Sequence, residues 1–328
     1  MAEEKRIITY SEAIREAMCE EMRRDENVFL MGEDIGVYGG CFGVSRGMIE
    51  QFGAERVRET PISETAFMGA AVGAAMLGKR PIVELMFSDF IGVCMDQVIN
   101  QAAKIHYMFG GKSSVPMVLR TPQGGGTGAA AQHSQTLEAL FAHIPGLKVA
   151  VPGNAYDAKG LLKTAIRDNN PVIFLESKLL YKTECEVPQE EYTVPFGAAA
   201  VRREGSDATL VSWGRTVGMC MDAAERLAAD GVSCEVIDVR TLVPLDINTI
   251  IESVKKTHRL VIVHEAVKTG GFGGEIASQV CESEAFSYLA APVRRVAAAD
   301  CPVPFSAVLE KACFPDAERI VRAVREIM

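Results

Sequence analysis

Three stretches carry residues whose type and setting could do chemistry. The first is Thr60-Pro61-Ile62-Ser63-Glu64, a proline turn that runs into a helix of very small residues expected from Ala66 to Leu77. Ser63 reads as an N-cap, and a carboxylate in the first turn is favoured by the positive end of the helix dipole. A plain helix-start role explains Glu64 well. A charge entering so apolar a helix also suits a partner waiting there. The second is His133, just past the glycine-rich run Pro122–Gly128 and flanked by Gln132 and Gln135, where the spacing predicts a helix start. An imidazole there suits proton transfer or oxyanion stabilisation near neutral pH. A helix-start histidine bonded to backbone is the plainer alternative. The third is His264-Glu265, at a strand end before the glycine-rich Thr269–Gly274. His106, His143 and His258 read as structural.

Other chemistries lack their motifs. There is no Gly-x-Ser-x-Gly elbow, no His-Glu-x-x-His and no Cys/His zinc spacing. There is also no Gly-Asp-Gly followed by an asparagine pair, the pattern that holds Mg²⁺ and a diphosphate. Gly36–Gly47 is rich in glycine but is not a dinucleotide fingerprint, because no strand leads into the required spacing. It reads as a mobile loop near a site.

The elements that must position these residues alternate strand and helix, which predicts parallel sheets with crossover helices. Strands are expected at Val28–Met31, Val57–Thr60, Arg80–Phe87, Pro116–Arg120, Leu147–Pro152 and Val172–Glu176. Between them lie helices, one capped by Ser11 and running to Arg24, others over Ser88–Phe109 and Tyr156–Arg167. Gly32-Glu33-Asp34 falls at a strand's C-terminal end, where open α/β sheets bind ligands. The pattern breaks after Leu179, and a second α/β unit begins near Ala208. The fold class is α/β with two doubly wound domains: residues 1–190, a linker at 191–204, and 205–328.

The 328 residues carry a net charge of −9 with no basic run, which argues against nucleic acid as partner. No stretch approaches the roughly 18 continuous apolar residues of a membrane span. The start, Met1–Ile14, resembles neither a secretory signal nor a transit peptide. Nine cysteines form no Cys-x-x-Cys pair, an odd and dispersed set that reads as reduced thiols in a cytoplasm.

Taken together, Gly32-Glu33-Asp34, Thr60–Glu64, Arg80–Phe90, Asp96–Lys104, Pro122–Gln135, Pro145–Pro152, Ala165–Glu176 and Thr241–Asp246 resemble one family over residues 7–328. It is the β subunit of the thiamin-diphosphate-dependent component of 2-oxo acid dehydrogenase complexes. Glu84–Lys112 looks most like the acetoin dehydrogenase branch.

The resemblance implies a transketolase-like fold, with a pyrimidine-binding domain followed by a transketolase C-terminal domain. It implies that Glu64 hydrogen-bonds N1′ of the cofactor's aminopyrimidine and so helps the thiazolium C2 lose its proton, a role that burial of the carboxyl would favour. Met86 and Phe90 match residues that line or stack on the pyrimidine. His133 matches the histidine that serves the C2 adduct and reductive acylation of the lipoyl group. Met117, Ala165, Ile166, Asp168 and Asn170 match a structural K⁺ site of some members, mostly through backbone carbonyls. Met117 stands where relatives carry a branched residue.

The missing diphosphate motif fits this family, whose α subunit holds Mg²⁺ and the diphosphate. The implied assembly is an α2β2 heterotetramer that docks the acyltransferase core through its peripheral subunit-binding and lipoyl domains. The alternatives are a transketolase or deoxyxylulose-phosphate-synthase-like subunit, disfavoured because those carry the diphosphate domain on the same chain, and a catalytically silent assembly subunit, disfavoured by intact Glu64 and His133.

Overall fold

A computed structural model describes residues 5–328, which form two compact units. The first contains the chain up to Gln123 together with Leu140–Phe196, and the second contains Gly124–Ala139 together with Gly197–Met328. The excursion Gly124–Ala139 carries His133 and begins in the glycine-rich run.

The first unit opens with β1 (Ile7–Thr9) and α1 (Tyr10–Arg24), then β2 (Val28–Gly32), α2 (Met48–Phe52), β3 (Val57–Glu59), α3 (Glu64–Met76) and β4 (Arg80–Glu84). It continues with α4 (Ile105–Met108), β5 (Val118–Gln123), α5 (Glu138–Ala142, entered from the second unit), β6 (Lys148–Ala150), α6 (Ala155–Arg167), β7 (Val172–Ser177) and β8 (Glu184–Glu186). Six of its strands run parallel in the order β6-β7-β5-β4-β2-β3, while β1 and β8 pair antiparallel apart from them. The central strands are buried throughout, as strands covered on both faces must be.

Helix α1 is capped by Thr9 rather than Ser11. The Thr9 hydroxyl accepts the Glu12 amide and the Glu12 carboxylate accepts the Thr9 amide, a reciprocal capping box that Ser11 lacks the partner to make. The apolar stripe Ala13, Ile14, Ala17 and Met18 packs on Ala158, Leu161, Leu162 and Ala165 of α6 to form the core on one face of the sheet.

Helix α3 turns Phe67, Met68, Ala71, Val72 and Ala75 inward. Its small residues Ala66, Ala70 and Gly73 lie exposed. The single helix expected over Ser88–Phe109 is broken instead. Ser88–Val93 is a tight 3₁₀ stretch, Gln97–Ala102 is a wide π turn, and α4 adds one short piece. Apolar residues at i and i+3 suit a 3₁₀ turn as well as an α-helix, and Gly92 gives α-helix no local support. The Thr65 hydroxyl also donates to the Val93 carbonyl at 2.6 Å.

The second unit comprises β9 (Ala200–Arg203), β10 (Ala208–Ser212), α7 (Thr216–Ala229), β11 (Cys234–Asp238), β12 (Thr241–Val243), α8 (Ile247–Thr257), β13 (Leu260–Val267), α9 (Gly273–Glu282), β14 (Arg294–Ala298), α10 (Ala307–Cys313) and α11 (Ala317–Arg325). Its sheet runs β14-β13-β10-β11-β9, parallel except for β9 at the edge. Helices α7 and α11 bury Cys220, Ala223, Leu227, Ile320 and Val324 on Leu210, Val236 and Val261. Among the described residues no helix is long and apolar enough to cross a membrane.

Candidate active site

Parallel register brings the C-terminal ends of the first unit's strands to one edge. Gly32 stands opposite both Glu59 and Glu84, and Glu84 stands opposite Arg120. Glu33 and Thr60 continue from β2 and β3 at that edge. Glu33 is buried, and its Oε1 accepts the backbone amide of Ser63 at 3.0 Å. Burial raises the Glu33 carboxyl above the usual carboxylate range, and the charges of Glu64 and Asp34 add to the rise.

Ser63 does not cap α3. Its hydroxyl donates back to the Pro61 carbonyl at 2.9 Å, so it closes the turn instead. The helix starts at Glu64, two residues before the expected Ala66, and the Glu64 side chain is half-buried. The Thr60 hydroxyl is buried without a hydrogen-bond partner among the described residues. Cys94 lies close enough that burial, with help from the Glu64 charge, pushes its thiol up to about 12.

Met86 lies two residues beyond β4 and is half-buried, and Phe90 lies on the 3₁₀ stretch against which α3 packs. A file of rings braces Phe90. It meets Phe87 edge-on at 5.5 Å, Phe87 meets Phe42 edge-on at 5.6 Å, and Phe42 stacks on Tyr181 at 5.2 Å. Such pairs contribute roughly 0.5–1.5 kcal/mol each beyond area burial.

The file ends on a buried ionic cluster. Tyr181 donates to Glu176 at 2.7 Å, and Arg120 binds Glu176 through two nitrogens at 2.7 and 2.9 Å and Glu84 through a third at 2.8 Å. Two carboxylates share one guanidinium, and burial raises the Glu84 carboxyl despite Arg120. The loop Gly36–Gly47, expected to be mobile, is seated on this cluster. Gly40 adopts φ +82°, and a Cβ there would stand 2.8 Å from the Glu84 carboxylate. The Gly36 amide is held by Glu59 at 3.0 Å, and the Ser45 hydroxyl donates to the Ile35 carbonyl at 2.8 Å.

His133 belongs to the second unit and sits half-buried in a turn; the helix expected at Gln132 begins only at Glu138. Two distant acids hold the glycine run ahead of it. Glu265 accepts the Gly125 amide at 2.9 Å, and Glu310 accepts those of Gly126 and Gly128 at 2.8 and 3.2 Å. Arg215 pairs with Glu265 at 2.7 Å, and the Phe314 ring fills the space beside Gly125, where a Cβ would come within 2.2 Å of it. His264 is buried and stacks on Trp213, with ring centroids 5.4 Å apart and planes 7° from parallel. Its environment is that of a packing residue, and Glu265 is a loop anchor.

Family models match in the same order as the two units. Residues 6–184 match the transketolase pyrimidine-binding domain and residues 197–320 the transketolase C-terminal domain. The chain is 49% identical to acetoin:2,6-dichlorophenolindophenol oxidoreductase subunit beta of Bacillus subtilis, with 98% of each chain covered. It is 50% identical to pyruvate dehydrogenase E1 component subunit beta of Rickettsia felis, again over 98% of each. The chain belongs to this family of dehydrogenase E1 β subunits. The fold is shared more widely: a solved structure titled "Split gene transketolase, inactive beta4 tetramer" superposes with a TM-score of 0.81 at 24% identity, covering 98% of both chains.

In this β subunit the five residues matched to a K⁺ site converge at the opposite edge, where strands begin and α6 ends. The carbonyls of Ile166 and Asp168 both accept from the same Arg80 nitrogen, at 2.9 Å each. The Met117 carbonyl accepts the Val172 amide at 2.9 Å, the Ala165 carbonyl accepts the Asp168 amide at 3.2 Å, and the Asp168 carboxylate pairs with Lys148 and accepts the Asn170 amide at 2.8 Å. The Ile166 and Asp168 carbonyls each keep a second lone pair, but the positive Arg80 guanidinium already stands at both oxygens. Among the described residues no group of three or more His, Cys, Asp or Glu could hold a metal.

Proposed function

We propose that this β subunit supplies the pyrimidine half of a thiamin diphosphate site and works only beside an α subunit that holds Mg²⁺ and the diphosphate. The reaction is oxidative decarboxylation of a pyruvate-like 2-oxo acid, or cleavage of acetoin, with the acyl group passed to a lipoyl-lysine of the acyltransferase core. The observation that carries this reading is the half-buried Glu64 at the head of α3, held over the sheet edge by Glu33 and packed beside the turn that bears Phe90. In function the chain is a cytoplasmic oxidoreductase subunit, with 1–190 as its pyrimidine-binding part and 205–328 as its C-terminal part.

When bound, the cofactor supplies a nucleophilic thiazolium carbon for attack on the oxo carbon. The residues of this chain bind and orient it. Glu64 exchanges a proton with the pyrimidine N1′, and the fixed turn removes the cost of placing its carboxylate at that moment. Phe90 and Met86 wall the ring, and the aromatic file behind Phe90 keeps that wall rigid. His133 holds or delivers a proton at the substrate-derived oxygen and at the lipoyl sulfur. Met117, Ala165, Ile166, Asp168 and Asn170 are the donors for a structural K⁺.

The exposed small face of α3 suits a partner chain. Exposed apolar side chains stand just before and just after it: Ile62 is 82% exposed and Leu77 87%.

The test is co-expression with an α subunit of this family. Cofactor binding is measured by calorimetry, and turnover with pyruvate, branched-chain 2-oxo acids and acetoin with an artificial electron acceptor. Glu64→Gln should leave the heterotetramer assembled and cut turnover by several orders of magnitude. Near-normal turnover would overturn the assignment.

A further inference from the structure

Cys301 and Cys313 are the two thiols of the second unit that face one another, with their Sγ atoms 3.4 Å apart. Cys301 is exposed and Cys313, at the end of α10, is buried. The segments that carry them are already tied together. The Ala299 amide donates to the Cys313 carbonyl at 2.8 Å, and the Cys301 amide donates to the Ala299 carbonyl at 2.8 Å. A disulfide needs about 2.0 Å between sulfurs, so closure requires an approach of about 1.4 Å by two side chains on adjoining backbone. Both thiols also line a cavity of about 490 Å³ with Ser134, Leu137, Val303 and Phe314, which admits small reactants.

The end of α10 is also the clamp on the glycine run. Glu310, one turn before Cys313, holds the Gly126 and Gly128 amides, and Phe314, next to Cys313, packs against Gly125. Arg215 lies over the Phe314 ring at 5.2 Å. Whatever draws Cys313 toward Cys301 acts on this clamp. We propose that Cys301 and Cys313 form a reversible disulfide with a hydroperoxide as oxidant, and that its closure loosens the loop Gly124–Gly128 ahead of His133.

The chemistry runs in two steps. The Cys301 thiolate attacks the terminal peroxide oxygen, the O–O bond breaks, and the other oxygen leaves with a proton as alcohol or water, which makes Cys301 a sulfenic acid. The Cys313 sulfur then attacks the Cys301 sulfur, the S–O bond breaks, and water leaves with the Cys313 proton. Two thiols are oxidised to one disulfide while one peroxide is reduced by the same two electrons. Burial holds the Cys313 thiol above its ordinary value, which makes exposed Cys301 the first to react. A dithiol reductant reverses the reaction by exchange.

The test uses the full chain, so it does not depend on turnover or on a partner. Reduced protein is exposed to hydrogen peroxide, remaining thiols are alkylated under denaturing conditions, and peptides are mapped by mass. The expected product is one cross-linked peptide pair joining Cys301 to Cys313, lighter by two hydrogens and lost on treatment with dithiothreitol. Cys301→Ser, a surface change expected to fold as wild type, should give no such pair. In parallel, amide exchange of Gly124–Gly128 should quicken several-fold in the oxidised wild type and stay unchanged in Cys301→Ser. Full alkylation of both cysteines after peroxide, or a Cys301 sulfinate without a cross-link, would overturn the disulfide. A cross-link with unchanged exchange would overturn its coupling to the loop.

Discussion

The Glu33 carboxylate holds the Ser63 amide at 3.0 Å, so one buried acid anchors the turn that presents another, Glu64. Truncation to Glu33→Ala leaves a backbone donor without its acceptor and should cost about 1–3 kcal/mol. Glu33→Gln keeps an acceptor oxygen. The folded Glu33 carboxyl is raised, so the folded state resists losing that proton, and stability falls as pH rises from the unfolded carboxylate range through the raised folded value. Glu33→Gln removes this cost and should be at least as stable as wild type at neutral pH. Urea unfolding of both variants decides the matter; equal losses in the two would show that the bond to Ser63 contributes nothing.

Arg120 is the hub of the cluster at the far end of the ring file from Phe90. Arg120→Met leaves Glu84 and Glu176 buried without their cation and should destabilise by about 3–5 kcal/mol. The Glu84 carboxyl, already raised by burial, would lose the opposing charge of Arg120, so the variant should regain stability as pH falls from neutral toward the carboxylate range. Adding Glu84→Gln and Glu176→Gln should restore much of the loss. Urea midpoints compared between neutral and mildly acidic pH would test this, and a pH-independent deficit would rule it out.

Much of this arrangement is legible from local pattern. The strand end that carries Glu33, the buried alternation of strand and helix, and the helix expected at Tyr156–Arg167 rest on nearest-neighbour chemistry. Ser63 misleads because its hydroxyl can either accept a helix amide or donate to the Pro61 carbonyl, and the proline turn wins over the cap. The break of Ser88–Phe109 is hidden because an apolar spacing of three suits a 3₁₀ turn and an α-helix alike. Glu265 and Glu310 stand 140 and 184 positions from the glycines they hold, and nothing near either acid signals that partnership. The same holds for Cys301 and Cys313, where spacing alone suggests no pair.

Arg80 stands at the carbonyls proposed to take K⁺, so protein and ion draw on the same oxygens. Arg80→Met frees the Ile166 and Asp168 carbonyls at the end of α6. The variant should melt lower than wild type, and KCl should raise its melting temperature more than it raises that of wild type. Choline chloride at equal ionic strength should not reproduce the gain. An identical potassium response in the two proteins would place the ion elsewhere.

His264 gives the second unit its own pH response. Burial, with the charge of Arg295 adding to it, lowers its pKa to about 4. The neutral ring is native, and the unfolded state takes up a proton near pH 6.5. Between those values the unfolded chain binds more protons, so stability is full above pH 6.5 and is lost as pH falls toward 4, by up to about 3 kcal/mol. His264→Phe keeps a flat ring against Trp213 and cannot be protonated. Trp213 is the chain's one tryptophan, so its fluorescence reports unfolding of this unit. Wild type should lose stability more steeply than His264→Phe between pH 7 and pH 5, while parallel slopes would show that other groups set the acid response.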